Sequence, residues 1–155
     1  MKTHRVSEAT LYGVKTLDDQ HQRLFNVIEK IAKLAGTDDF PAIEALVEVL
    51  RDLLATHFSD EERLMIETGY SNAREHRTQH RTLLAEIVRT QRQMLRKGRL
   101  SKRDAHDTVD RVIRHMLLVD GPFKTHLQRI GYRAQAIKVQ DRSDHALLSG
   151  IVSQF

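Results

Sequence analysis

The stretch HFSDEERLM, residues 57–65, sets a histidine and a glutamate, His57 and Glu61, four positions apart in a segment otherwise striped with apolar residues. Residues at i and i+4 lie above one another on one face of an α-helix. The apolar positions Ile43, Leu46, Val47, Leu50, Leu54 and Leu64 recur at that spacing and run through both polar residues. A helix here therefore turns an imidazole and a carboxylate toward its own core. Burying an unpaired carboxylate is costly, and no Lys or Arg shares the stripe at helical spacing to offset it. The pair calls for a cation from elsewhere.

The same helical period extends along the chain. Only two prolines and seven glycines punctuate 155 residues, and alternating strand patterns are almost absent. A first helix is expected over about 17–35, with the stripe Leu17, Leu24, Ile28, Ile31 and Ala35, and it stops at Gly36. The second starts near Pro41, where a missing N–H is harmless in a first turn, and ends before Gly69. Asn72 with Glu75 reads as the cap of a third helix that runs through Leu83, Leu84, Ile87 and Met94 to Gly98. Ser101 with Asp104 caps a fourth, carrying Ala105, Val112, Met116, Val119 and Phe123, which Pro122 should kink or restart. The expected fold is all-α, an up-down-up-down four-helix bundle over residues 17–131, with an N-terminal arm (1–16) and a C-terminal extension (132–155). In the extension, Leu147, Leu148, Ile151, Val152 and Phe155 could line one face of a short helix.

Further polar residues interrupt the other stripes. His21 lies between Leu17 and Leu24, His76 and His80 precede Leu83, and His115 adjoins Met116 with Asp120 five residues on. With alternating helix directions, all seven side chains fall in one half of the bundle, roughly 5 to 25 Å from one end at about 1.5 Å of rise per residue. Scattered core histidines would have no reason to gather so. Five histidines and two carboxylates point to metal. Two octahedral ions offer twelve positions: five imidazoles, two bridging carboxylates and one bridging oxo or hydroxo fill all but one. Iron suits mixed nitrogen and oxygen ligands with an open position, whereas zinc is usually four-coordinate.

Composition narrows the alternatives. There is no cysteine, which excludes disulfides, thiolate sites and thiol nucleophiles. The net charge is +4, and the excess is local: RTQRQMLRKGRLSKR, residues 89–103, holds seven cations and no acid. No aromatic residue interleaves there for base stacking, so a solvated surface is expected and no nucleic-acid partner. No stretch has the length of a membrane span, and a cytoplasmic protein is expected.

The segments GVKTLDDQH (13–21), HFSDEERLM (57–65), GYSNAREHRTQHRTL (69–83) and HMLLVD (115–120) resemble the signature of the bacterial single-domain hemerythrins, over roughly Leu11 to Leu127. The resemblance implies a non-haem di-iron centre with a bridging oxo or hydroxo that binds dioxygen reversibly. It assigns His76, His80 and His115 to one iron, His21 and His57 to the other, and Glu61 and Asp120 to both. Leu64, Val112 and Met116 are the expected apolar pocket wall. Where many members carry a tryptophan, four residues before the last histidine, this chain has Arg111, and it has no Trp anywhere. Arg111 either faces the pocket, admitting water or anions, or turns to solvent. His4, His106, His126 and His145 are expected at the surface. An oxygen binder for transport, storage or sensing is the expected function, ahead of a di-iron peroxidase or a scavenger of nitric oxide or oxygen. A third possibility is a regulatory module whose C-terminal extension meets a protein partner.

Overall fold

The structure, a computed structural model, describes residues 10–132. Five α-helical segments follow one another: α1 (Lys15–Leu34), α2 (Phe40–Glu67), α3 (Ala73–Lys97), α4 (Lys102–Arg114) and α5 (Asp120–Arg129). A single π-helical turn, His115–Val119, joins α4 to α5, so that these three pieces form the fourth rod of a four-helix bundle. No strand occurs among the described residues. The expected short helix near the C-terminus lies outside them.

Local chemistry explains most boundaries. Asp39 accepts a hydrogen bond from the Ala42 N–H at the start of α2, with Pro41 in the first turn. Ser101 accepts from the Asp104 N–H (3.0 Å) and donates to the Asp104 carboxylate (2.7 Å), which closes the expected cap of α4. Asn72 stands at the N-cap of α3, but its side chain makes no cap hydrogen bond, so that part of the expectation is not realised. Gly98 ends α3 in the left-handed region (φ 63°) that glycine adopts without steric cost.

The fourth rod departs from expectation. Its irregularity lies upstream of Pro122, in the turn where the Asp120 N–H reaches back five residues to the His115 carbonyl. Pro122 then sits in the first turn of α5, where no intrahelical N–H is required. The rod restarts after the π turn, before Pro122 is reached.

Neighbouring rods pack as a closed ring, α1 on α2 and α4, α3 on α2 and α4. Two apolar clusters fill the interior. The larger contains Leu24, Ile28, Ile31, Val47, Leu50, Leu54, Ile87, Met94 and Val112, and the smaller closes one end with Tyr12, Val14, Leu17, Leu64, Met65, Phe123 and Leu127. The expected stripes are buried throughout apart from Leu46, Leu84 and Val119, which are half-buried. Residues 10–14, just ahead of α1, pack on the bundle: Thr10, Tyr12 and Val14 are buried, and the Asp18 carboxylate accepts from the Tyr12 and Gly13 N–H groups (2.6 and 3.1 Å). All seven cations of residues 89–103 are exposed, around the α3–α4 connection at the opposite end from the smaller cluster. No helix among the described residues is long and apolar enough to cross a membrane.

The two caps differ in a way that denaturation can read. Ser101→Ala should lower the unfolding free energy by about 1 kcal/mol, and Asn72→Ala, which removes no cap hydrogen bond, should leave the urea midpoint close to that of the parent.

Candidate metal centre

Along every rod the polar residues lie between the two apolar clusters. In α1 the order is Leu17, His21, Leu24; in α2 it is Leu54, His57, Glu61, Leu64; α3 brings His76 and His80 before Leu83, and the fourth rod sets Asp120 between Met116 and Phe123. All seven side chains are buried, and Glu61, His21 and His57 are wholly inaccessible. The π turn has a direct role in this. In a regular α-helix, residues five apart point about 140° away from each other at 3.6 residues per turn. The wider turn brings His115 and Asp120 onto one face, with Nε2 and Oδ1 3.1 Å apart.

The donor atoms divide into two groups. His76, His80, His115, Glu61 and Asp120 can each offer one ligand atom to a first ion, and His21, His57 and Asp120 to a second. Asp120 belongs to both groups, and Glu61 only to the first, its Oε2 lying 3.1 Å from His80 Nε2 and 3.6 Å from His76 Nε2. The other oxygen of Glu61 accepts a hydrogen bond from the Tyr12 hydroxyl.

Hydrogen bonds behind the rings fix three tautomers. His21 Nδ1 meets the Thr10 carbonyl (2.7 Å), His80 Nδ1 the Glu62 carboxylate (2.9 Å), and His57 Nδ1 the Gln20 Oε1 (3.0 Å). Gln20 is oriented by donating through its amide nitrogen to Asp60 (2.7 Å), and Glu62 is held by Arg77 (3.0 Å). Each of these acceptors requires Nδ1–H, which leaves a lone pair on Nε2 when the ring is neutral. The Nε2 atoms of His21 and His57 then face each other at 3.1 Å, and that of His80 faces a carboxylate oxygen. Lone pairs so opposed repel unless a proton or metal ion stands between them. Glu61 Oε2, His80 Nε2, His115 Nε2 and Asp120 Oδ2 are buried without a hydrogen-bond partner. Orphaned nitrogen and oxygen atoms of this kind, without sulfur, fit iron.

The titration behaviour follows from the same crowding. Burial and the neighbouring Asp120 favour protonation of Glu61, but the close imidazoles of His76, His80 and His57 outweigh them and lower its pKa to about 2. Burial likewise opposes the charge on Asp120, yet the close imidazoles of His115, His21, His57 and His76 hold it well below the usual carboxylate range. Burial disfavours the His76 cation, and Asp120 and Glu61 override this and raise it to about 9. His21 is raised on the same grounds. Burial and the two carboxylates push the Tyr12 phenol well up, so it remains a donor.

The other expected residues are distributed unevenly. Leu64 joins the end cluster and Val112 and Met116 the larger one, so they flank the donor atoms from opposite sides. Arg111 lies toward solvent with Nη1 3.0 Å from Glu86. It borders a cleft of about 210 Å³ whose walls include Gln79, Leu83, Leu118 and His115. His126 corrects the expectation of a surface histidine: it is buried, with Nε2 3.0 Å from the Thr68 carbonyl. His106 is exposed, as expected. Sequence reasoning missed Tyr12, Gln20, Glu62 and Phe58, whose ring stacks on His80 with centroids 3.8 Å apart. Gln20 and Glu62 adjoin His21 and Glu61 in sequence, and that adjacency was the one available signal.

Comparison with known proteins bears on the family and the fold. The sequence profile of the hemerythrin HHE cation binding domain matches residues 12–127. A bacteriohemerythrin of Pseudomonas aeruginosa (strain LESB58) is 29% identical over 75 residues, 48% of this chain and 49% of that protein. The myohemerythrin of Riftia pachyptila is 41% identical over 71 residues, 46% of this chain and 54% of that protein. The chain thus spans about half the length of the curated relatives it matches. Among solved structures, a leucine-to-alanine variant of a hemerythrin superposes with a TM-score of 0.72 at 24% identity, covering 82% of this chain and 98% of that one. A wild-type hemerythrin gives 0.66 at 25%, covering 74% and 89%.

Three outcomes are expected. Glu62→Ala removes the acceptor that orients His80 and should weaken metal binding by about 10- to 100-fold, read by competition with a chelator. The second concerns pH. In the metal-free protein, the contribution of His76 is complete below its ordinary 6.5 and is lost as pH rises through about 9. That of Glu61 is complete above its ordinary 4.5 and is lost as pH falls toward about 2. Urea unfolding of the metal-free chain should show maximal stability between those limits. Metal uptake near neutral pH should release protons, because bound histidines are neutral.

Proposed function

The chain belongs to the hemerythrin family, and we propose that it is a non-haem di-iron protein that binds dioxygen reversibly, in transport, storage or sensing. The observation that carries this reading is the convergence of five imidazoles and two carboxylates into a three-histidine and a two-histidine group around the shared Asp120. His76, His80 and His115 would hold one iron and His21 and His57 the other, with Asp120 and Glu61 serving both. When bound, two ferrous ions supply the electrons that reversible dioxygen binding requires. The chain does the rest. Thr10, Gln20 and Glu62 keep three rings turned so that Nε2 points inward. Phe58 packs flat on His80. Leu17, Leu64 and Phe123 on one side, and Val112 and Met116 on the other, exclude water from the donor atoms.

A second reading has its own observation. The cleft beside Arg111 reaches His115, which at 6% exposure is the most accessible of the seven donors. A solvent route to one edge of the site favours a redox enzyme, a peroxidase or a scavenger of nitric oxide or oxygen. The regulatory alternative depends on residues 132–155, which fall almost entirely outside the described part of the chain.

One sample separates the first two readings. Iron per chain is measured first, and then the visible spectrum of the reduced protein, freed of reductant, under argon, in air and under argon again. Two irons with an oxygen-dependent band that fades under argon are expected. Two irons passing straight to a ferric spectrum that argon does not reverse would favour the redox enzyme.

A further inference from the structure

We propose that Tyr12 is a positioning residue of the iron site, whose hydroxyl fixes the rotation of Glu61 and reduces the negative charge that this carboxylate presents to the metal. The proposal rests on the di-iron reading above.

Four observations carry it. The Tyr12 hydroxyl donates to Glu61 Oε1, a contact between residues 49 apart in sequence, while Oε2 of the same carboxylate faces His80 and His76. One oxygen is thus held from behind and the other points into the donor cluster. The same Oε2 also lies 3.7 Å from His57 Nε2, so Oε1 keeps the phenol while the free oxygen faces the histidines of both groups. The phenol is buried at 5% exposure, with its ring 5.4 Å from that of His21 and 5.8 Å from that of Phe123. No water competes for such a hydrogen bond, and a buried hydrogen bond to a charged group is among the stronger ones.

The last observation is how the phenol comes to be there. Tyr12 lies before α1, in chain that helical packing does not hold. Asp18, in the first turn of α1, accepts from the N–H groups of both Tyr12 and Gly13, and Gly13 adopts φ 75° to make this possible. The same short segment presents the Thr10 carbonyl to His21 Nδ1. Residues 10–13 therefore reach both halves of the site at once, Thr10 through a ligand of the two-histidine group and Tyr12 through a carboxylate of the three-histidine group.

A hydrogen bond to a carboxylate withdraws charge from it and weakens its donation to a metal ion, more so for the ferric than for the ferrous state. Removing the hydroxyl should favour ferric iron. Tyr12→Phe keeps the ring contacts and deletes the donor, and the test compares it with the parent as iron-loaded protein. Iron per chain, helix content and the midpoint potential are read for each, the last by spectroelectrochemical titration. Two irons in both proteins and a tenfold shift of the equilibrium toward ferric, about 59 mV lower for a one-electron step, are expected. Iron lost from Tyr12→Phe at unchanged helix content would also support a positioning role. Two irons in both with the same potential would overturn the role of Tyr12 and leave the site reading intact. A parent chain that does not hold two irons would overturn both. If Tyr12→Phe does not fold, Asp18→Asn loosens the segment without touching the phenol, and a potential unchanged in that variant would overturn the proposal in the same way.

Discussion

The structure depends on opposed lone pairs in a space from which water is excluded. His21 and His57 bring their Nε2 atoms to 3.1 Å, and His80 brings its own to the same distance from Glu61. In water such an arrangement would relax by rotating the rings or admitting solvent. Here the Nδ1 atoms are tied to Thr10, Gln20 and Glu62, and the rings cannot turn without breaking those bonds. Something positive must sit among them. Without metal, protons serve, which is why His76 and His21 hold theirs more tightly than usual. With metal, the same geometry becomes a ligand set, and protons and iron compete for one group of atoms.

This constraint also explains the divided core. A four-helix bundle can stack apolar layers from end to end, but here a polar layer interrupts the stack and leaves one large and one small cluster. The small cluster needs more than the four rods to close it. Tyr12 and Val14, from the chain ahead of α1, contribute to it, and Tyr70 and Tyr132 pack against it. Residues 10–14, the described part of the N-terminal arm ahead of α1, thus cover the end of the bundle nearest the donors. Their anchoring by Asp18 serves the apolar seal as well as the hydrogen bonds to His21 and Glu61.

The helices and the donors of the first three rods were legible because both obey the 3.6-residue period. An inward imidazole or carboxylate in an apolar stripe is conspicuous, as His57 and Glu61 are between Leu54 and Leu64. What escaped notice lay off the period. The π turn at His115–Val119 has no composition of its own, and the five-residue interval from His115 to Asp120 hints at it only once both are known to face one way. Glu62 and Gln20 sit one position from a donor, on faces that read as solvated. Tyr12 belongs to no stripe at all. His126 was misjudged because one histidine with a backbone acceptor leaves no repeating pattern.

The two carboxylates, alike in the sequence reading, differ in kind once placed. Asp120 lies among histidines from all four rods and belongs to both donor groups, with Oδ1 3.1 Å from His76 and His115 and Oδ2 3.6 and 4.0 Å from His21 and His57. Glu61 is bound on one oxygen by a phenol and faces mainly the three-histidine group with the other. A site built this way is asymmetric before any metal enters: one half has three imidazoles and a carboxylate tempered by a hydrogen bond, the other two imidazoles and fewer anionic contacts. The half with fewer donors is the one that lies beneath Tyr12 and the residues ahead of α1. Under the di-iron reading, an open position on that half would be bordered by the part of the chain that helical packing secures least and Asp18 secures most.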